Sequence, residues 1–475
     1  MRVCVREIGV LVVLMIVEMS SAHGAPAQSA ASSALDRIPS AALDGTTQPP
    51  AESDFSATTS VEEDPEFIER RSSFVVPLPG NPEPTVVNRL FLDSRGEWRI
   101  SDAWRFLYSG RGEIYLQNEG PTFVTHATGL TTLNYQFREG YFSWSAGGRR
   151  LWFLDIGRIN VRNGVAYAFN PTDFFRTEAV VDQISQDPAE LRDDRLGTVM
   201  LRVQGFVAGS TLTALYAPRL YRRPLPLDQP VSSLDPQIRR TNAASRAEFA
   251  VSRQLPYGIH LQVLAYREGS RWAYGENLSA GLGVQTTAYV EWSGSRRSAL
   301  PVEAMNYAVR TGTFPDAVSP VAVSLSKTFV QEWATGLSYT SGEGINLTVE
   351  YDMSQLGLSS AQWREWFAVG ASGLQDEKLW YLRQYASAQQ DPLYRQSLFI
   401  RVARDHWLVR DLSASAFCIF DMTGGSSLAQ GELNYRLSSR LGIDMLVQHA
   451  SGSRRSDFGS APFESAYFLR IKWYL

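Results

Sequence analysis

The last nine residues, Tyr467-Phe468-Leu469-Arg470-Ile471-Lys472-Trp473-Tyr474-Leu475, put Tyr467, Leu469, Ile471, Trp473 and Leu475 at alternate positions, with Arg470 and Lys472 between them. A period of two belongs to a β-strand with two unlike faces. The same alternation recurs upstream. Leu133, Tyr135 and Phe137 alternate with Thr132, Asn134, Gln136 and Arg138, and Val199, Leu201 and Val203 stand opposite Thr198, Arg202 and Gln204. Leu347, Val349 and Tyr351 alternate with Asn346, Thr348, Glu350 and Asp352, and the stretches 432–437 and 441–448 repeat the pattern. Between these runs lie turn signals: Arg138-Glu139-Gly140, Leu255-Pro256-Tyr257-Gly258, Ser341-Gly342-Glu343-Gly344 and Leu437-Ser438-Ser439-Arg440. They predict hairpins between neighbouring strands.

Composition narrows what such strands can build. The chain has 475 residues, 44% hydrophobic and 20% charged, with a formal charge of -4. That balance excludes the strongly basic footprint of a general nucleic-acid binder. Two cysteines, Cys4 and Cys418, are too few for a cysteine-built zinc site. Arg2 and Arg6 precede an apolar run from Ile8 to Val17, and Ala25-Pro26-Ala27 supplies small residues at a signal-peptidase spacing. A signal peptide over residues 1–27 is therefore expected, with Gly24 as the other cleavage position. The run from Ile8 to Val17 is too short to cross a membrane as a helix and no longer uncharged apolar run follows, so a membrane-embedded form has to be a barrel. Residues 28–88 read as an acidic, low-complexity periplasmic tail: nine carboxylates stand against one base, Arg37, between Gln28 and Glu69.

An alternating sheet can hide its apolar face in a soluble core or turn it to lipid. Here the polar faces carry full charges (Arg202, Glu350, Asp352, Glu432, Arg436, Asp444), which a watered lumen holds without the desolvation cost of a dry interior. Aromatic residues cluster at strand ends, as at Trp98, Trp104, Tyr108, Tyr141, Phe142 and Trp144, where interfacial girdles sit. The closing strand resembles the C-terminal signal of bacterial outer-membrane proteins, with Leu475 where Phe is usual. The chain resembles outer-membrane β-barrel porin-like proteins over about residues 90–475. The expected fold is all-β: a transmembrane antiparallel barrel over 89–475 with about 16 strands, in a range of 14–18. The resemblance implies the outer membrane of a Gram-negative bacterium, contact with its lipids and lipopolysaccharide, and recognition by the outer-membrane assembly machinery through Tyr467, Leu469, Ile471, Trp473 and Leu475. It also implies passage of small solutes through the lumen. The acidic tail is a candidate contact for a periplasmic partner.

Between Arg149 and Arg195 the rhythm breaks. Ile159 and Val161 alternate with Arg158, Asn160 and Arg162, which are expected on the lumen face of a strand. Asp155 falls on the face held by Leu151 and Phe153, which predicts a bulge at Gly157 or a turn of Asp155 toward an arginine. Residues 187–197 pack five charges between Glu190 and Arg195. A mixed-charge loop folded into a pore sets a transverse field at a constriction, so Arg158, Asn160, Arg162, Asp173, Arg192 and Arg195 are the pore-lining candidates. Arg219, Arg222, Arg223, Arg239 and Arg240 are candidates for rim contact with an anionic solute or lipopolysaccharide. Residues 354–378, with Trp363, Trp366 and Phe367, predict a short helix or a lipid-facing loop.

No cofactor or metal is expected. The histidines show no HExxH spacing and no nucleophile elbow or Walker loop is present, so an enzyme is not expected. A channel is the first reading and an export conduit for a hydrophobic or polymeric substrate the second. A hydrolase using His449 and Ser451 is the least supported.

Overall fold

The computed structural model describes residues 55–71, 73–77, 85–118, 133–146, 152–180, 184–227 and 235–475. The expected signal peptide and residues 28–54 of the expected tail lie outside the described residues.

Eighteen strands form one closed antiparallel sheet. They are β1 (Phe55–Arg70), β2 (Val86–Arg99), β3 (Trp104–Asn118), β4 (Leu133–Ala146), β5 (Trp152–Ile159), β6 (Thr198–Val207), β7 (Ser210–Ala217), β8 (Arg246–Leu255) and β9 (Ile259–Glu268), followed by β10 (Arg271–Gly281), β11 (Thr286–Arg297), β12 (Thr328–Thr340), β13 (Ile345–Ser354), β14 (Gln396–Arg404), β15 (Leu412–Asp421), β16 (Ser426–Arg436), β17 (Leu441–Ser451) and β18 (Phe463–Tyr474). Each strand pairs with its neighbours in sequence, and β1 pairs with both β2 and β18, which closes the sheet and leaves no edge. The count is the top of the expected range and two above 16.

The extra length begins at β1, inside the stretch expected to be a tail. Acid content concealed its alternation. Ser60, Glu62, Asp64, Glu66 and Ile68 face inward and buried, while Val61, Glu63, Pro65 and Phe67 face out. The inward acids meet bases from other strands: Arg89 lies 2.7 Å from Glu66, Arg111 lies 3.6 Å from Glu62, and Lys472 contacts Glu62 directly. Composition counted these acids as unpaired, whereas the barrel pairs them across strands. The first described strand of the barrel therefore begins at Phe55, not near residue 89.

The outer surface follows the terminal strand. Tyr467, Leu469 and Trp473 are exposed on it, as are Met445 and Val447 of β17, while Phe468, Leu446 and Gln448 point inward and are buried. Strands at one end are joined by short turns, including Leu255 to Ile259, Thr340 to Ile345 and Arg436 to Leu441, where turns were expected. Arg138-Glu139-Gly140 is not a turn. It lies within β4 at a register shift opposite Ser109 and Gly110. The long connections, residues 160–197, 218–245, 298–327 and 355–395, all leave from the other end.

There residues of 298–327 and 355–395 build a cap around the helices α3 (Leu300–Thr311), α4 (Ser360–Gly370) and α5 (Asp376–Gln389), while the short α1 (Pro188–Asp193) and α2 (Ile238–Thr241) belong to the two earlier connections. Leu300, Ala304, Met305 and Tyr307 of α3 pack with Trp363, Trp366 and Phe367 of α4, Leu379, Trp380 and Leu382 of α5, and Val76 from the β1–β2 connection. Ser359 caps α4, accepting from the Gln362 N–H at 3.3 Å while Gln362 accepts from the Ser359 N–H at 2.9 Å. Trp363, Trp366 and Phe367 thus stand at helical spacing in a dry core rather than facing lipid, because α3 and α5 cover them.

Candidate functional site

The strand β5 ends at Ile159, and the described residues between Asn160 and Gly197 fold into the barrel instead of crossing back beside it. Two wall carboxylates hold this inserted segment by its main chain. Glu291 on β11 accepts from the N–H groups of Val165 (2.9 Å), Ala166 (3.0 Å) and Thr172 (2.8 Å), and from the Thr172 hydroxyl (2.8 Å). Glu350 on β13 accepts from Tyr167 (2.7 Å), Ala168 (2.9 Å) and Phe169 (3.0 Å). Charged acceptors form the stronger hydrogen bonds, and these two satisfy six N–H groups that a non-helical, non-strand segment would otherwise bury unpaired. Gly164 makes the approach possible: its φ is +96°, and a Cβ there would sit 2.7 Å from both Glu291 carboxylate oxygens.

The segment then crosses to the opposite wall. Tyr167 stacks on Phe399 of β14, with centroids 5.6 Å apart, and its hydroxyl donates to Asp187 at 3.2 Å. Ile184 packs with Phe91, Leu446 and Phe468 of β2, β17 and β18. The Gln186 N–H donates to the Gln430 side chain of β16 at 2.8 Å. Asp187 caps α1, accepting from the Ala189 N–H at 2.8 Å. Just after α1, Asp194 lies 2.7 Å from Arg138 of β4 and 3.3 Å from Arg95 of β2.

Five of the six pore-lining candidates converge here. Arg195 binds Asp173 at 2.8 Å, Asn160 Oδ1 at 2.8 Å and the Val161 carbonyl. Asn160 donates to the Arg192 carbonyl at 2.9 Å, and the Arg192 guanidinium donates to the Asn163 carbonyl at 3.0 Å. Arg195 and Asp173 side chains are 2% and 1% exposed, so they brace the segment internally. Arg162, paired with Asp193 at 2.6 Å, remains partly open to water. Asn160 and Arg162 are not strand residues, since β5 has ended.

Arg158 stands apart. In the ladder it pairs with Gly140 and Val199, on the side shared by Leu154, Ile156 and Leu201, so its parity is opposite to the expected one. The β7–β8 connection covers it: Arg158 donates to the Gly197 carbonyl at 2.8 Å and to the Pro236 carbonyl. The outward set of β5 is Trp152, Leu154 and Ile156, which turns Asp155 inward onto Arg202 at 2.7 Å. That is the arginine partner expected for Asp155. The β5 ladders run through Gly157 without a register shift, and Gly157 takes a φ of +141°.

Around α1 stand Arg95, which pairs with Asp194, and Arg470 and Glu432, which flank the segment's own Glu190. Burial, then the nearby Glu432, pushes the Glu190 carboxyl up to about 8. Burial works to raise Asp194 too, but Arg138, Arg111 and Arg95 outweigh it and hold that carboxyl below its ordinary value. Sequence inspection missed Glu62, Arg95 and Glu190. The alternation of Glu62, Asp64 and Glu66 with Val61, Pro65 and Phe67 was the available signal.

The hydrolase candidates do not meet. His449 Nδ1 lies 3.0 Å from the Ser465 hydroxyl, and Ser451 pairs with Ser427 at 2.8 Å.

No protein-family model and no curated protein matches the sequence. Solved structures do share the architecture. Acinetobacter baumannii OccAB1 superposes with a TM-score of 0.51 at 9% identity, covering 88% of this chain and 96% of that one. Acinetobacter baumannii OccAB3 gives 0.50 at 9% identity, covering 89% and 99%. A BenF-like porin from Pseudomonas fluorescens Pf-5 gives 0.50 at 11% identity, covering 89% and 98%. With its closed sheet, apolar outer face and charged interior, this chain has the fold of an outer-membrane porin-type β-barrel.

Proposed function

We propose that the protein is an outer-membrane channel through which small water-soluble solutes pass, passively or by facilitated diffusion. Outer-membrane barrels carry short turns on the periplasmic side and longer loops outside. The cap then faces the exterior, and both chain termini of the barrel face the periplasm. The observation that carries the reading is the segment 160–197, which crosses the lumen from β11 and β13 to β2, β4 and β16–β18. A pore narrowed by such a segment excludes by size and sorts by charge at the gap. We place that gap beside α1, where Arg162, Asp193 and Arg95 meet the wall of β1–β3 and β16–β18. Asp173, Arg192, Arg195 and Asn160 fix the segment's shape, and Arg158 anchors the neighbouring loop.

A conduit for a polymer needs a lumen clear along its length, which a crossing segment opposes. The terminal residues Tyr467, Leu469, Ile471, Trp473 and Leu475 fit the part of an assembly signal, since four of them form the outward row of β18 down to its end. The acidic residues before Phe55 are left as the candidate contact for a periplasmic partner. The test is single-channel recording in planar bilayers with the purified full-length protein. Discrete steps with a finite reversal potential in a salt gradient support a channel. Absence of any conductance from correctly folded, heat-modifiable protein rejects it.

A further inference from the structure

Three of the arginines expected at the rim are spent on the main chain. Arg239 donates to the carbonyls of Arg223 (2.8 Å) and Pro224 (3.2 Å), Arg240 to those of Glu178 (3.3 Å) and Val180 (3.5 Å), and Arg219 to that of Tyr221 (3.0 Å). Polar groups with spare hydrogen-bonding capacity lie instead inside the barrel, on the short-turn side of the inserted segment.

Register sets one inward row on the wall of β6–β11. Phe206 pairs with Thr211, Thr211 with Ser252, Ser252 with Gln262, Gln262 with Asn277, and Asn277 with Glu291. The sequence neighbours Val207, Val263 and Leu278 are exposed on the outer face, so this row faces the lumen. It begins beside the β6–β7 turn and ends at the clamp that holds the inserted segment. Nearer the short turns than the clamps Glu291 and Glu350, the inward positions of β7–β13 hold no arginine, lysine or carboxylate. A second neutral row there runs through Thr287, Ser338 and Thr348. The rest of the lumen wall is ionic: Arg105 with Glu97 (3.1 Å), Arg202 with Asp155 (2.7 Å), and Lys472 with Glu62.

The neutral row is already ordered. Asn277 Nδ2 donates to Gln262 Oε1 at 2.7 Å, and Gln262 Nε2 donates to the Ser252 hydroxyl oxygen at 3.0 Å. Both amides are thereby fixed in orientation, and the Ser252 proton is left to donate into the lumen. Asn346 of β13 does the same for Thr340, donating to its hydroxyl oxygen at 3.0 Å. At the turn end of the row Phe206 meets Phe153 edge to face, with centroids 6.2 Å apart, and both rings are half-buried. An open ring beside fixed amides and hydroxyls suits a ligand with an apolar face and a rim of groups that both donate and accept. A sugar ring has that form. An ion does not, because nothing on this wall neutralises it and its desolvation goes uncompensated.

We propose that the neutral wall from Phe206 through Thr211, Ser252 and Gln262 to Asn277 is a binding track for small uncharged polyhydroxylated solutes, mono- and disaccharides, with the C–H face of the sugar on Phe206 and Phe153. The inference deepens the channel reading by naming its solutes, and rests on that reading for passage. The test is ion-current recording on the full-length protein in planar bilayers with glucose, sucrose and, as a charged match for glucose, gluconate. Both sugars are expected to reduce the current reversibly and saturably, and gluconate to require at least about tenfold more for the same block. Phe206→Ala with Gln262→Ala is expected to raise the half-blocking sugar concentration about tenfold while heat-modifiability persists. Arg436→Ala, on the ionic wall of β16, is expected to leave it at the wild-type value. No block by either sugar, equal block by gluconate, or an unchanged half-blocking concentration in the double variant overturns the track. A protein that conducts without sugar block loses this inference and keeps the channel reading. A protein that does not conduct loses the channel reading, and saturation-transfer NMR with glucose on the detergent-solubilised protein then decides the track: a signal lost in the double variant supports it, and silence in the wild type overturns it.

Discussion

The lumen and the cap of this barrel are stabilised by opposite means. In the lumen, side chains meet as ions: Glu62 with Arg111, Arg470 and Lys472, Arg195 with Asp173, and Asp194 with Arg138. In the cap, α3, α4 and α5 bury Trp366, Leu379, Leu382 and Met305 in the largest apolar core of the described residues. One body is a charged interior that tolerates water, and the other a dry core whose loss exposes hydrocarbon. Several contacts join the two, among them Tyr307 of α3 donating to Glu178 of the inserted segment at 2.9 Å. Arg176 of the inserted segment binds Asp391 of the cap at 2.9 Å, and Arg297 at the top of β11 binds both Asp391 (3.0 Å) and Glu303 of α3 (2.6 Å). Perturbations should therefore stay local: ionic changes within the lumen, and apolar changes within the cap.

The largest effect expected from breaking that division comes from the wall clamps. Glu291→Ala with Glu350→Ala strips the acceptors from six main-chain N–H groups, each left buried at a cost of roughly 1–3 kcal/mol. The inserted segment should leave its place while the barrel stays closed. Single-channel conductance should rise at least about twofold with added noise, and heat-modifiability on a gel should persist. Next comes Trp366→Ala in the cap, expected to cost about 3–5 kcal/mol of cap stability. Limited proteolysis should then cut within residues 355–395, while the reversal potential keeps its wild-type value. A shifted reversal potential would mean that the cap shapes the passage directly.

These two regions were unequally legible in the sequence. Strand alternation showed through wherever one face was apolar and the other charged, as in β13 and β18. It failed at β5, where Trp152, Phe153 and Leu154 are consecutive and apolar, so parity was assigned to the wrong set and Arg158 was placed in the lumen. It failed at β1 because the acids that define its inner face are balanced by Arg89, Arg111 and Lys472, far away in sequence. The cap was nearly invisible. Trp363, Trp366 and Phe367 have the spacing of a helix face, but the helices that cover them lie in other connections. At the site, Asn160, Asp173, Arg192 and Arg195 stand in one bonded network. That Arg195 and Asp173 are spent on each other is a property of the fold that no spacing announces.

A smaller effect sharpens the ionic side. Arg162→Ala leaves Asp193 unpaired beside the gap and removes one positive charge from it, so the reversal potential should move toward cation preference by a few millivolts to about 10 mV in a tenfold salt gradient. The pH response is smaller still. Burial and Glu432 hold the Glu190 proton up to about 8, whereas an unfolded Glu releases it near 4.3. Its ionisation therefore lowers stability as pH rises through that window, and the passage gains a negative charge above about 8. Cation preference should increase between pH 7 and 9, and Glu190→Gln should flatten that dependence, as bilayer reversal potentials at each pH will show.

Whether residues 160–197 narrow a water-filled lumen is read from the single-channel conductance of a variant in which residues 163–193 are replaced by a short Gly-Ser linker, compared with the wild type, both shown to be folded by heat-modifiability. A conductance several times that of the wild type and a weaker ion preference are expected, because both the obstruction and its charges are gone. A folded variant with wild-type conductance and selectivity would contradict the narrowing, and would place the constriction in the cap.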